Sequence, residues 1–299
     1  MKLDRFLECS GNLIPKRIAV AAPEDEDVLI SLHEVVKSGI ADVVLVGDAK
    51  KIRDIIFAKN LLLTECEIVD RADDEAAAKT AVSIVKSGDA QILMKGSLHS
   101  SYLMHAILNK ETGIRESDVL NTLGIIDSPM LDRLLFLSDG GMIPYPTFQQ
   151  KIAIINNTVR VARALGIPEP KVACICAVEI VNPNMPPTME AAALALMSQR
   201  GQFKNCIVDG PLALDNAISP EAAKHKDVKS PSFVVGNADI VLVPNIETGN
   251  AVMKALRYMG GCSTAGLLAG AAAPVVMTSR ADSAINKLRS IACALAAAY

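Results

Sequence analysis

Short apolar runs alternate with amphipathic helical stretches along this chain. Residues 17–22, 41–47, 66–70 and 90–94 are strand-like, each ending at Gly, Asp, Pro or Lys. Between them, residues 25–38, 49–60 and 73–87 carry apolar side chains at helical spacing, with Lys or Gly near their ends. Strands that are apolar at nearly every position suit parallel sheets covered on both faces and joined by helical crossovers. The pattern predicts an α/β fold: two α/β domains with mostly parallel sheets.

A turn-rich stretch at 138–147 interrupts the alternation, which then resumes. A helix is predicted at 148–165, a strand at 171–178, a helix at 188–200 and strands at 205–209 and 239–243. Helices near 248–259 and 263–270, a strand at 273–278 and a last helix at 283–298 complete the chain. The Gly/Pro cluster near 140–146 is the expected seam, with 1–138 plus 279–299 as the first domain and 139–278 as the second. Residues 258–279 are 22 positions without a formal charge and contain Gly266 and Gly270 in a GxxxG spacing. Gly260, Gly261, Ser263, Thr264 and Pro274 break that run, so it is read as globular core with the two glycines in close helix packing, not as a membrane span.

Composition narrows the partners. The 299 residues carry 30 Lys and Arg against 33 Asp and Glu, a net charge of −3, with no basic arm. Nucleic acid is therefore excluded as an expected partner, because affinity there comes from clustered phosphate neutralisation. Aromatic residues make up 3% and Trp is absent, which removes base-stacking platforms. Small polar or anionic metabolites remain. The seven cysteines, at 9, 66, 174, 176, 206, 262 and 293, show no CxxC or Cys/His spacing and lie mostly in apolar runs. They read as reduced, buried small hydrophobes. With no apolar segment of signal-peptide length at the N-terminus, a cytoplasmic location is expected.

Alternating α/β chains place ligands where strands end, so the strand-end residues carry the candidate chemistry. Residues 275–283 run from a strand through Ser279, Arg280 and Asp282 into a helix. A helix start favours anions, and Arg280 adds a planar fork of donors suited to phosphate. The same residues read equally as a helix cap and a surface ion pair. At 241–250, Asn245, Gly249 and Asn250 offer amides and a close backbone approach, or simply a turn and a cap. Asp209 is a candidate base or a turn former. In the stretch 93–101, Lys95 and Gly96 end a strand and His99 precedes a helix entry, placing a cation and a proton carrier at a third strand end. Nucleotide-loop, nucleophile-elbow and zinc motifs do not occur.

Taken together these strand ends resemble the phosphate acetyl/butyryltransferase family. The resemblance is carried by 139–150 (DGGMIPYPTFQQ), 205–217 (NCIVDGPLALDNA), 241–250 (VLVPNIETGN), 251–261 (AVMKALRYMGG) and 274–280 (PVVMTSR), in family order. Residues 18–29 and 44–47 extend it to nearly the whole chain, and the Lys95-Gly96 and Ser279-to-Ser283 blocks are closer to the butyryl branch. The resemblance implies an active-site cleft between two α/β domains. It also implies reversible transfer of a short-chain acyl group from coenzyme A to inorganic phosphate, with Ser279 and Arg280 binding phosphate. Acyl-CoA, CoA and phosphate are then the partners, no metal or redox cofactor is needed, and a homo-oligomer is expected.

Two positions depart from the family pattern. Where the acetyl branch carries a carboxylate thought to act on the CoA thiol, this chain has Asn286, which leaves Asp282 as the nearest carboxylate and Asp209 and His99 as further base candidates. Where many relatives carry a phosphate-facing Arg, this chain has His105. Three other readings stay open at this point: an acetyl-transferring relative, the phosphate acyltransferase of phospholipid synthesis, and a non-catalytic protein that senses acyl-CoA or phosphate.

Overall fold

Acidic caps open the first three crossovers. Asp25 accepts the Val28 N–H at 2.9 Å, Asp48 accepts the Lys50 and Lys51 N–H groups at 3.0 Å, and Asp73 accepts the Ala76 N–H at 2.8 Å. Each side chain satisfies a first-turn donor that the helix itself cannot pair. The helices that follow bury one apolar face: the first hides Val28, Leu29, Leu32 and Val35, at the spacing of a single helical stripe.

The computed structural model describes residues 2–8, 16–228, 230 and 232–298; Cys9 lies outside them. In chain order the first elements are α1 (Arg5–Glu8), β1 (Lys16–Ala21), α2 (Glu26–Lys37), β2 (Ala41–Gly47), α3 (Ala49–Ala58) and β3 (Glu67–Asp70). Next come α4 (Asp74–Lys86), β4 (Ile92–Lys95), α5 (Ser100–Leu108), β5 (Asn121–Asp127), β6 (Leu135–Ser138), α6 (Phe148–Ala164) and β7 (Lys171–Ile175). Then follow α7 (Pro186–Gln199), β8 (Ile207–Leu212), α8 (Leu214–Ile218), α9 (Pro220–His225) and β9 (Ile240–Leu242). The last are α10 (Ile246–Tyr258), β10 (Ser263–Ala269), β11 (Val275–Val276) and α11 (Ala284–Ala297).

The chain forms two compact units, Met1–Asp118 with Thr264–Tyr299, and Val119–Ser263. In the first, strands lie in the order β3-β2-β1-β4-β11-β10, parallel except for the β10–β11 hairpin. Helix α11 packs on α2, while α4 packs on β1, β2 and α5. In the second, the order is β5-β6-β9-β7-β8, parallel except for the β5–β6 hairpin. Its core centres on Ile126, Leu135, Leu137, Ala173, Val241 and Val243.

The seams fall earlier than the Gly/Pro pattern predicts, at 118/119 in place of 138/139 and at 263/264 in place of 278/279. Two hairpins explain the shift. β6 pairs with β9 and so carries β5 into the second unit, and β11 pairs with β4 and so carries β10 into the first. The Gly/Pro stretch is an internal loop of the second unit, stitched by buried Asp139. That carboxylate accepts from Thr122 N at 3.0 Å, from Gly141 N at 3.1 Å, from Met142 N at 3.2 Å and from Ile143 N at 2.8 Å.

Residues 263–270, predicted as a helix, form strand β10. A short apolar run buried on both faces has no periodicity to separate the two forms. The glycines serve the hairpin instead of helix packing. A side chain at Gly266 would stand 2.6 Å from the Met277 carbonyl oxygen, and Gly270 turns the chain with φ +100°. No helix among the described residues is long and apolar enough to cross a membrane. Cys174, Cys176, Cys206, Cys262 and Cys293 are buried, and burial pushes the Cys176 and Cys206 thiols up to about 11. Such thiols stay protonated and inert at neutral pH.

Candidate active site

Strand register gathers three strand ends on one edge of the first unit's sheet. Ala21 lies opposite Lys95, and Val276 opposite Met94, all in parallel pairing. The residues that follow, near 25, 96 and 279, therefore emerge side by side at the carboxyl edge, where open α/β sheets bind ligands. A cavity of about 280 Å³ occupies this edge, lined by Asp25, Gly96, Ser97, Thr278, Ser279, Arg280 and Lys287.

Gly96 is required by this convergence. Its N–H donates to Ala21 O at 2.8 Å, the Ser97 N–H donates to Ala22 O at 2.7 Å, and a Cβ at 96 would meet the Ala22 carbonyl. The Ser97 hydroxyl also donates to Ala22 O, at 3.1 Å. Lys95, at the end of β4, is 4% exposed and donates to Gly96 O at 3.1 Å. Burial holds its ammonium below the usual lysine range, and the Arg280 and Lys287 charges push it the same way.

The turn after β11 is closed by Asp282. Its Oδ2 accepts the Ser279 N–H at 2.7 Å, and its own N–H donates to Ser279 O at 3.0 Å. Arg280 therefore stands on a fixed turn, exposed, with no hydrogen bond or ion pair from the described residues. The start of α11 is less open to an anion than its sequence suggests, because Ala284 N–H already donates to Asp27 Oδ1 at 3.3 Å. The second cation comes from inside the helix. Lys287 is 2% exposed, donates to Asp282 O and stands 3.9 Å from Asp25 Oδ1.

An exposed arginine on a fixed turn and a buried lysine line one small cavity, an arrangement whose charge suits an anion. The model of the family described as "Phosphate acetyl/butaryl transferase" matches residues 11–84 and 75–295. The chain belongs to the phosphate acetyl/butyryl transferase family. It is 47% identical over 279 residues to a phosphate butyryltransferase of Clostridium acetobutylicum, covering 93% of this chain and 92% of that protein. A phosphate butyryltransferase of Clostridium beijerinckii is likewise 47% identical, over 97% of this chain and 96% of its own length. Among solved structures, a branched-chain phosphotransacylase from Enterococcus faecalis is 30% identical, with a TM-score of 0.84 over 95% of this chain and 99% of that one. Like its relatives in the phosphate acetyl/butyryl transferase family, the chain is an acyltransferase.

The other predicted positions do not line this cavity. His99 caps α5: its Nδ1 accepts the Ser101 N–H at 3.3 Å and lies 2.7 Å from Ser101 Oγ. His105 is exposed in the last turn of α5. Asp209, in the second unit, accepts hydrogen bonds from the hydroxyls of Ser230, at 2.5 Å, and of Ser232, and from Gly210 N–H at 2.8 Å. Asn245 caps α10 by accepting the Thr248 N–H at 3.0 Å. Gly249 lets Asp139 and Gly140 approach closely, and Asn250 donates to Gly140 O at 3.3 Å. Gly249 and Asn250 thus hold α10 against the loop that Asp139 stitches. Asn286 does not line the cavity either, but Lys287, one residue further, does. Sequence reading missed Lys287 and Asp25. The signal for Lys287 was available: a lysine in the first turn of a helix opposes the macrodipole unless an anion or a carboxylate answers it.

Proposed function

We propose that this protein transfers a short-chain acyl group, butyryl or one of similar length, reversibly between coenzyme A and inorganic phosphate. The observation that carries this reading is the pairing of Arg280, which makes no hydrogen bond or ion pair with the described residues, with buried Lys287 around one cavity at the carboxyl edge of the first sheet. The names of the relatives at 47% identity support the butyryl assignment.

In the proposed reaction, Arg280 grips phosphate through its planar fork of donors and Lys287 supplies a second positive charge. A phosphate oxygen adds to the thioester carbonyl, forming the new O–C bond. The tetrahedral intermediate places negative charge on the former carbonyl oxygen, where the Ser279 hydroxyl can donate. Its collapse breaks the C–S bond and expels the CoA thiolate, which then takes a proton. Holding both reactants in one geometry removes much of the entropic barrier, and no covalent enzyme intermediate is required. Asp282 acts here as a positioning residue, because its carboxylate is engaged with the Ser279 N–H. The chemistry calls for no metal or redox cofactor, since CoA is itself a substrate. Free cysteines suit a cytoplasmic location.

The test mixes protein, butyryl-CoA and phosphate and follows free thiol, with acetyl-CoA in parallel. Release that depends on phosphate and is faster with butyryl-CoA is the expected result. Release without phosphate means thioester hydrolysis, and no release means a sensor; either overturns the reading.

A further inference from the structure

Asp25 is an unexpected neighbour for an anion. It lines the same cavity as Arg280 and Lys287. Its Oδ1 caps α2 through the Val28 N–H at 2.9 Å and faces Lys287 Nζ at 3.9 Å, so the carboxylate is held in place. Its Oδ2 accepts no hydrogen bond from the described residues. An ionised carboxylate only accepts hydrogen bonds, so an anion sharing this space must bring a proton of its own. Phosphate carries at least one P–OH group at neutral pH, as does arsenate in its As–OH. Sulfate, of nearly the same size and shape, carries none. Arg280 and Lys287 attract all three, since neither residue senses whether an oxyanion is protonated.

We propose that Asp25 makes this cavity selective for protonated tetrahedral oxyanions, accepting the P–OH of phosphate and rejecting sulfate. The inference rests on the cavity being the phosphate site and assigns a specificity role to a carboxylate outside the Ser279–Arg280 motif. Specificity of this kind comes from an unfavourable contact with the wrong ligand, added to favourable contacts with the right one. The rejected ligand would set a bare oxygen lone pair, with no proton between, against a carboxylate already fixed by its cap.

Calorimetric titration of the full-length protein with phosphate, arsenate and sulfate at neutral pH tests this. Phosphate and arsenate bind alike, and sulfate binds at least about tenfold more weakly, the scale of a lost charge-assisted hydrogen bond. Asp25→Asn keeps the helix cap, because Asn caps as well as Asp, and turns an acceptor into a donor. In that variant sulfate binding tightens and the phosphate-to-sulfate ratio falls to within about threefold. Asp73→Asn, the matching change at the cap of α4, leaves the ratio as it was. Equal binding of phosphate and sulfate by the unmodified protein overturns the inference, as does an unchanged ratio in Asp25→Asn or an equal change in Asp73→Asn. No phosphate binding at all overturns the phosphate-site reading beneath it.

Discussion

Asp282 Oδ2 accepts the Ser279 N–H at 2.7 Å, and Ser279 O receives the Asp282 N–H at 3.0 Å. This reciprocal pair separates positioning from proton transfer. Asn at 282 can still accept the Ser279 N–H but cannot take a proton, whereas Ala can do neither. Asp282→Asn is therefore expected to keep kcat/KM within about threefold and Asp282→Ala to lose about tenfold or more, with Arg280 misplaced. Steady-state kinetics in both directions check this. If Asn were as damaging as Ala, the carboxylate would be the base.

Arg280 contributes charge without structural ties among the described residues. Arg280→Ala should lower kcat/KM for phosphate by roughly 10²-fold or more, the usual loss of a transition-state charge donor. Its thermal unfolding midpoint should match the unmodified protein, because an exposed side chain without partners is removed. Arg280→Lys restores charge but not the bidentate fork, and should recover activity only in part.

Lys287 is predicted to trade stability for binding. It buries a charge in the first turn of α11, where the helix dipole disfavours it. Lys287→Met keeps the stem's apolar volume, so its unfolding midpoint should be equal or higher while the KM for phosphate rises about tenfold or more. A lower midpoint with an unchanged KM would make Lys287 a structural residue.

Lys95 gives the alkaline side of the stability profile. Burial lowers its folded-state pKa below that of the unfolded chain. Below the lowered value both states hold the proton, and the cost of burying the charge is fully present. As pH rises from there toward the ordinary lysine range, the unfolded chain holds more protons than the folded one, and stability increases. Lys95→Met should unfold at a higher temperature at neutral pH, and the difference from the unmodified protein should shrink as pH rises through that window. Paired thermal melts across the alkaline range measure it.

The parallel α/β architecture was legible because α2, α3 and α4 each carry a one-sided apolar stripe and an acidic cap, two independent signals that agree. β10 was not legible, since its seven residues, mostly small or apolar and mostly buried, carry no period. The unit boundaries were missed because a turn-rich stretch looks the same whether it links domains or is held by a buried carboxylate such as Asp139. At the site, Ser279 and Arg280 could be read because they end a strand. Asn245 and His99 also stand at helix starts, where their polar atoms cap the helix, and Asp209, read as a strand end, lies inside β8 with its carboxylate taken by the Ser230 and Ser232 hydroxyls. Local sequence does not reveal whether a strand-end polar group is already satisfied. Asp25 and Lys287 share a cavity only because α2 packs on α11, a contact between elements about 260 positions apart in the sequence.

The central claim is that Arg280 and Lys287 together hold orthophosphate at the carboxyl edge of the first sheet. Difference density from crystals soaked in phosphate tests it most directly. A tetrahedral anion within hydrogen-bond distance of the Arg280 guanidinium and Lys287 Nζ is the predicted result, and phosphate bound elsewhere with this cavity holding only water would contradict it.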